Sequence, residues 1–114
     1  MPSKNKRKGS RFEYRVRDYL VKKGFFVVRR TVSQFPDLIA MKAGQTLLIE
    51  CKSRQRFNPE KPILTLLSEE ERNRASDLIE QTNYPVILAY NDKHKIKFLS
   101  FGGFNIFKVE ALLR

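Results

Sequence analysis

One cysteine, Cys51, stands in the 114 residues, so no intrachain disulfide framework and no cysteine-rich zinc site can form. There is also a single histidine. His94 lies in Asn91-Asp92-Lys93-His94-Lys95, a polar run that reads as a hairpin turn, and a solvated turn histidine is a poor general base. No apolar run approaches the roughly 20 residues needed to span a bilayer. The basic start, Met1 to Gly9, has no apolar stretch behind it, so the expectation is no secretory leader and a cytoplasmic location. Internal repeats are absent.

Acidic residues are scarce: 12 Asp and Glu against 23 Lys and Arg, a net charge of +11. The imbalance sits at one end. Residues 1–30 carry 11 basic and 2 acidic residues, whereas residues 31–114 are close to balanced. A lopsided basic surface suits a polyanion, because each Lys or Arg that meets a phosphate releases condensed counterions. Nucleic acid is the expected partner. A membrane surface fits less well, because the basic helix needs its apolar stripe for the core. Hydrophobic residues make up 41% of the chain, enough for one core in one domain.

The chain reads as a mixed central β-sheet flanked by helices, an α/β domain in the order αβββαββ. Residues 1–9, with Lys4, Lys6, Arg7 and Lys8, read as a flexible basic arm. Ser10 is the expected cap of a helix with Phe12, Val16, Tyr19 and Leu20 on its inner stripe, closed by Gly24. Strands follow at Phe25–Val28, Asp37–Met41 and Thr46–Lys52, with a turn at 42–45. Residues 53–62 form a polar loop. Ser68 and Glu71 make a capping box that opens a helix running to Thr82. Strands at Val86–Tyr90 and Lys95–Phe101 flank a turn at Asn91–Lys93, and an apolar tail runs from Phe104.

The third strand carries the chemistry. Leu47-Leu48-Ile49-Glu50-Cys51-Lys52 is nearly continuous apolar sequence, as in a strand buried on both faces, yet it ends in Glu50 and Lys52 on one side. Burying a carboxylate and an ammonium is costly unless they pair or bind a metal. A structural ion pair is one explanation, and a site is the other. Cys51 faces the opposite way and reads as a small core residue. The hairpin turn brings Asp37, at the start of one strand, beside Glu50 at the end of the next. Two carboxylates and a lysine then meet at one sheet edge, an arrangement that hard divalent cations such as Mg²⁺ favour. Glu13 borders the apolar stripe of the first helix. It is a candidate third carboxylate, or the partner of Arg17 one turn on.

Pro36-Asp37, the thirteen-residue step to Glu50, and Glu50-Cys51-Lys52 resemble the PD-(D/E)xK nuclease superfamily. Within it the chain is most similar to archaeal-type Holliday junction resolvases. That likeness rests on Lys8-Gly9 before Glu13, Lys23-Gly24-Phe25, Val27-Val28-Arg29, Ser33 ahead of Pro36-Asp37, and Glu50-Cys51-Lys52-Ser53-Arg54, over residues 6–55. The resemblance implies a restriction-endonuclease-like core and a single nuclease domain over 10–114. It implies metal binding by Glu13, Asp37 and Glu50, catalysis by Lys52 with Ser33, and Mg²⁺ as cofactor, with Mn²⁺ able to substitute. Arg11, Arg15, Arg17, Arg29, Arg30, Arg54 and Arg56, with the basic arm, would hold the DNA backbone.

The implied reaction is paired, symmetric cutting of four-way junctions. A related nuclease acting on flapped, damaged or duplex DNA, and a non-catalytic DNA-binding module, are the alternatives. Two cuts need two sites, so a homodimer is expected. Phe98, Phe101, Phe104, Phe107, Val109, Leu112 and Leu113 offer apolar material for an interface near 95–114, unless the tail completes the core of one chain.

Overall fold

The first helix, α1, spans Lys4–Lys22, and Phe12, Val16 and Leu20 on one of its faces are buried. The coordinates are a computed structural model that describes residues 4–30, 35–53, 60–102 and 113, with side chains from residue 11 onward apart from 62 and 64. The helix starts earlier than the sequence pattern suggests. Lys4 to Gly9 continue α1 rather than forming an arm, and Ser10 sits inside the helix instead of capping it. Lys and Arg are good helix formers, and they outweigh the single Gly9.

Gly24 ends α1 at a φ of 93°, where a side chain would be strained. Phe25 N–H reaches back to Leu20 O at 3.0 Å and Gly24 N–H to Val21 O at 3.0 Å, the Schellman pattern. This occupies the Phe25 N–H, so the first strand, β1, begins one residue later than expected and spans Phe26–Arg29. Strands β2, Leu38–Lys42, and β3, Gln45–Lys52, join through a two-residue turn. Ala43 and Gly44 both take positive φ there, as a tight hairpin requires.

Next comes a short helix that the sequence pattern did not mark. α2 spans Pro62–Leu66, with proline in its first turn, where its missing N–H costs nothing. The order is therefore αβββααββ. α3 spans Glu69–Thr82, and its capping box forms in full: Ser68 Oγ accepts from Glu71 N–H at 3.1 Å, and Glu71 Oε1 accepts from Ser68 N–H at 3.0 Å. β4, Val86–Asp92, and β5, Lys95–Phe101, close the sheet. Their turn is centred on Lys93 and His94, both at positive φ, so Asn91 and Asp92 belong to the strand.

The five strands lie in the order β1-β2-β3-β4-β5. β3 and β4 run parallel, linked by α2 and α3, and every other pair is antiparallel. α1 packs on one face against Leu38, Ala40, Leu47, Ile49, Ile87 and Ala89. α2 and α3 cover the other through Leu66, Leu67 and Ala75, which meet Leu48, Val86 and Leu88. β3 is thus apolar on both sides because both sides are covered.

The C-terminal apolar surplus is partly used within the chain. Leu113 is buried in the α1 cluster, and its carbonyl accepts from Tyr19 Oη at 3.0 Å. Phe98 packs 5.5 Å from the Tyr19 ring, and Phe101 packs on the α3 side. Phe104, Phe107, Val109 and Leu112 lie outside the described residues. No described helix is long and apolar enough to cross a membrane.

The packing of α1 can be checked with two neighbouring residues, since Leu20 is 0% and Val21 53% exposed. Leu20→Ala should cost about 2–5 kcal/mol, whereas Val21→Ala should stay within about 0.5 kcal/mol. Equal losses in denaturant titrations would mean that α1 presents another face to the sheet.

Candidate active site

The β2–β3 register pairs Leu38 with Ile49, which brings Asp37, one residue before β2, level with the end of β3. Asp37 Oδ2 accepts the Cys51 N–H at 2.9 Å, so its carboxylate is pinned to β3 between Glu50 and Lys52. Lys52 Nζ lies 3.3 Å from Glu50 Oε2. The convergence expected from the hairpin is present.

Glu13 reaches the same end of the sheet from α1. It does not pair with Arg17, which instead bonds Asp18 at 3.0 Å. Arg29, the last residue of β1, donates from Nε to Glu13 Oε2 at 3.1 Å. Arg29 also donates to Tyr14 Oη at 3.0 Å, and its guanidinium lies 4.5 Å from the centre of the Tyr14 ring. Arg17 lies 4.7 Å from the same ring. Tyr14 was not singled out from the sequence, where an exposed helical tyrosine carries no signal.

Glu50 is the group most at odds with its surroundings. It is 6% exposed, and its Oε1 is buried without a hydrogen-bond partner. Burial, with the Asp37 charge beside it, pushes its carboxyl up to about 9. Glu13 is raised as well, by burial first and then by Asp37. Asp37 thus neighbours both other carboxyl groups, although no three acidic groups among the described residues are arranged as a ready-made metal cluster. The donor set still fits a hard dication: crowded oxygens, a partnerless buried Oε1, and charges that repel one another until a cation joins them. Asp37 and Glu50 fit best, because one Glu13 oxygen is engaged by Arg29.

Lys52 has a second partner that sequence spacing did not reveal. Its Nζ donates to Glu71 Oε2 from the first turn of α3. Burial disfavours the ammonium, but the bond to Glu71 and the neighbouring Glu50 outweigh it and hold Lys52 above the ordinary lysine range. The Cys51 thiol is pushed well up by burial and by the surrounding carboxylates, which disfavours a thiolate nucleophile and agrees with a core role. His94 is exposed in its turn, and its carbonyl accepts from Arg15 at 2.7 Å.

The expected DNA-contact residues divide into groups. Arg11 and Arg15 are exposed on α1. Arg30 braces the loop ahead of Asp37: its N–H bonds Asp37 O at 2.8 Å and its Nη1 bonds Phe35 O at 3.0 Å. The side chains of Lys4, Lys6, Arg7 and Lys8 lie outside the described ones, as do residues Ser33, Arg54 and Arg56 altogether.

The Glu50 environment yields a pH test. A raised folded-state pKa means that folded Glu50 keeps a proton the unfolded chain has lost between about 4.5 and about 9, so stability falls as pH rises through that window. In chelator, Glu50→Gln should therefore be more stable than wild type at pH 8, by up to about 5 kcal/mol, and equal to it near pH 4. Identical differences at both pH values would contradict the burial argument.

The chain is similar to known proteins in sequence and in fold. Residues 4–79, which include Glu13, Asp37, Glu50, Lys52 and Glu71, match the family model described as archaeal Holliday junction resolvase (Hjc). A crossover junction endodeoxyribonuclease Hjc from Sulfolobus acidocaldarius is 32% identical over 103 residues, covering 85% of this chain and 68% of that protein. Another, from Methanocaldococcus jannaschii, is 44% identical over 50 residues, 44% of this chain and 38% of its own length. In fold, the chain is similar to Archaeoglobus fulgidus Hjc, with a TM-score of 0.67 at 23% identity over 82% of this chain and 73% of that one. By the extent of the family match and the Sulfolobus relative, this chain belongs to the archaeal Holliday junction resolvase family.

Proposed function

We propose that this chain is a structure-selective endodeoxyribonuclease that resolves four-way DNA junctions by metal-dependent phosphodiester hydrolysis. The observation that carries the reading is the end of β3, where Asp37, Glu50 and Lys52 meet and Glu50 Oε1 has no partner of its own. Family membership and the names of the relatives, both crossover junction endodeoxyribonucleases, give the substrate class.

Asp37 and Glu50 would hold Mg²⁺, or Mn²⁺ in its place, with Glu13 completing the set. When bound, the ion supplies the Lewis acidity that activates water and offsets charge on the scissile phosphate. Lys52, gripped by two carboxylates, supports a role as a charged hydrogen-bond donor to the phosphate or the attacking water. Ser33 is proposed to assist from the loop before Asp37. Arg11, Arg15 and Arg17 on α1, Arg29 at the end of β1, and the basic residues Lys4, Lys6, Arg7, Lys8, Arg54 and Arg56 would bind the backbone without reading bases. A cytoplasmic location and a single nuclease domain, begun by α1 at Lys4 rather than at residue 10, belong to the same reading.

Two symmetric cuts in one junction require two sites, so the proposal includes a twofold homodimer. The segment 95–114 remains its expected interface, although Phe98, Phe101 and Leu113 already pack within the chain. A second face is favoured by one observation. Phe26 is 67% exposed, and Val28 and Met41 on the same two strands are also exposed. Exposed apolar groups of this size mark contact surfaces.

Asp37→Asn and Glu50→Gln should each reduce Mg²⁺-dependent cleavage of a labelled four-way junction to background while leaving junction binding nearly intact. A linear duplex of the same sequence, run alongside, separates junction selectivity from general nuclease action. Binding should weaken roughly a thousandfold between 50 and 200 mM salt if about six phosphates are contacted. Normal cutting by either variant would displace the site, and salt-insensitive affinity would remove the electrostatic surface.

For the assembly, light scattering at micromolar concentration should give a dimer mass. Phe26→Asp, Phe104→Asp and Leu112→Asp then assign the face. The variant that dissociates the dimer should also turn paired cuts into isolated nicks. A wild-type monomer, free and on DNA, would sink the dimer.

A further inference from the structure

The capping box of α3 has a second task. Such a box is a local device: the glutamate at its fourth position turns back to the N-cap N–H and satisfies one helix-terminal donor. Here that takes only Oε1 of Glu71, which accepts from Ser68 N–H at 3.0 Å. Oε2 is left over, and it accepts from Lys52 Nζ across the gap between α3 and the end of β3.

The geometry matters because of what each partner lacks. Lysine is a point charge on a stem of four rotatable bonds, with high rotamer entropy and no intrinsic direction. Lys52 is the last residue of β3, at the end of the sheet beside Tyr90 of β4. Glu50 alone would draw the ammonium onto the very carboxylate whose other oxygen is buried and partnerless. Glu71 approaches from another element, and its own rotation is fixed by Ser68. α3 is in turn fixed to the sheet by Ala75, which is fully buried.

We propose that Glu71 is a positioning residue for Lys52, its carboxylate divided between the start of α3 and the lysine so that helix placement and lysine placement are one event. The inference rests on the nuclease reading of the site and adds a residue to it. Glu71 touches neither DNA nor a metal in this scheme; it also lies beside Glu50, but its assigned role is exercised through Lys52.

Three variants separate positioning from simple helix capping. Glu71→Ala removes both contacts. Ser68→Ala removes the hydroxyl half of the cap and leaves Glu71 on Lys52. Glu71→Gln keeps one carbonyl oxygen, enough to accept from Ser68 N–H or from Lys52 but not from both, because its amide NH₂ only donates. Two readouts are needed: single-turnover cleavage of a bound four-way junction in Mg²⁺, alongside the junction Kd, and labelling of Lys52 by an amine-reactive reagent in the metal-free, DNA-free protein, read by peptide mass spectrometry.

Glu71→Ala should cut about 10–100-fold more slowly, the usual cost of losing a group that orients a reacting one, with Kd unchanged. Its Lys52 should label faster than in wild type. Ser68→Ala should match wild type in both readouts while melting at a lower temperature, and Glu71→Gln should fall between. If Glu71→Ala fails to fold, Glu71→Gln decides alone, with slower cutting and faster labelling expected. Wild-type cleavage, or wild-type labelling, in the deciding variant overturns the assignment, as does a rate loss in Ser68→Ala equal to that of Glu71→Ala. If wild type itself cuts no junction, the nuclease reading fails, and the labelling still decides whether Glu71 holds Lys52.

Discussion

A carboxylate buried at the end of a strand covered on both faces is the constraint around which this molecule is arranged. Glu50 follows Leu47, Leu48 and Ile49 into the interior and has one oxygen without a partner. Desolvation there disfavours its charge, and Asp37 beside it adds repulsion. In most folds such a residue would be exchanged for an apolar one. Here the neighbouring groups are arranged to use it: Asp37 is pinned by Cys51 N–H, Lys52 is drawn to it, and Glu13 is turned toward the same end by Arg29. The charge crowding is destabilising on its own and would be relieved by a cation.

The sheet topology makes that crowding possible. β3 and β4 are parallel neighbours in the middle of the sheet, apolar on both faces because α1 covers one side and α2 with α3 the other. The end of β3 is then a place where groups from three layers meet. α1 brings Glu13, the β2–β3 hairpin brings Asp37, and the first turn of α3 brings Glu71. A site built on strands and helix ends is held more firmly than one built on loops, which suits chemistry that depends on placing a phosphate among charges.

Basic residues also brace the scaffold. Arg30 closes the loop ahead of Asp37 through its backbone and its guanidinium, Arg15 ties α1 to the β4–β5 turn, and Arg29 orients Glu13 while resting against Tyr14. A positive charge count alone does not separate residues that bind phosphate from residues that brace the scaffold, because both uses leave the same composition.

The sequence by itself determined the elements whose signals are local. The Phe12, Val16, Leu20 stripe, the Gly24 stop, the Ser68–Glu71 box and the strand pattern of 46–52 depend on neighbours within a few residues, and they stand where periodicity places them, with β3 beginning one residue earlier at Gln45. Asp37, Glu50 and Lys52 were legible for the same reason, since one hairpin joins them. Where local signals are weak or compete, the structure departs from the pattern: Ser10 is interior to α1, α2 has no signal in the pattern, and the β4–β5 turn lies one residue further on. Tertiary structure alone decided the partners. Glu13 could pair with Arg17 one turn away, yet packing of α1 on the sheet delivers it to Arg29, sixteen residues on. Glu71 reads as a cap in any sequence, and only the docking of α3 beside β3 gives its second oxygen to Lys52. A side chain's period and propensity are set by the chain next to it, but the charge it meets is set by which elements the core brings together.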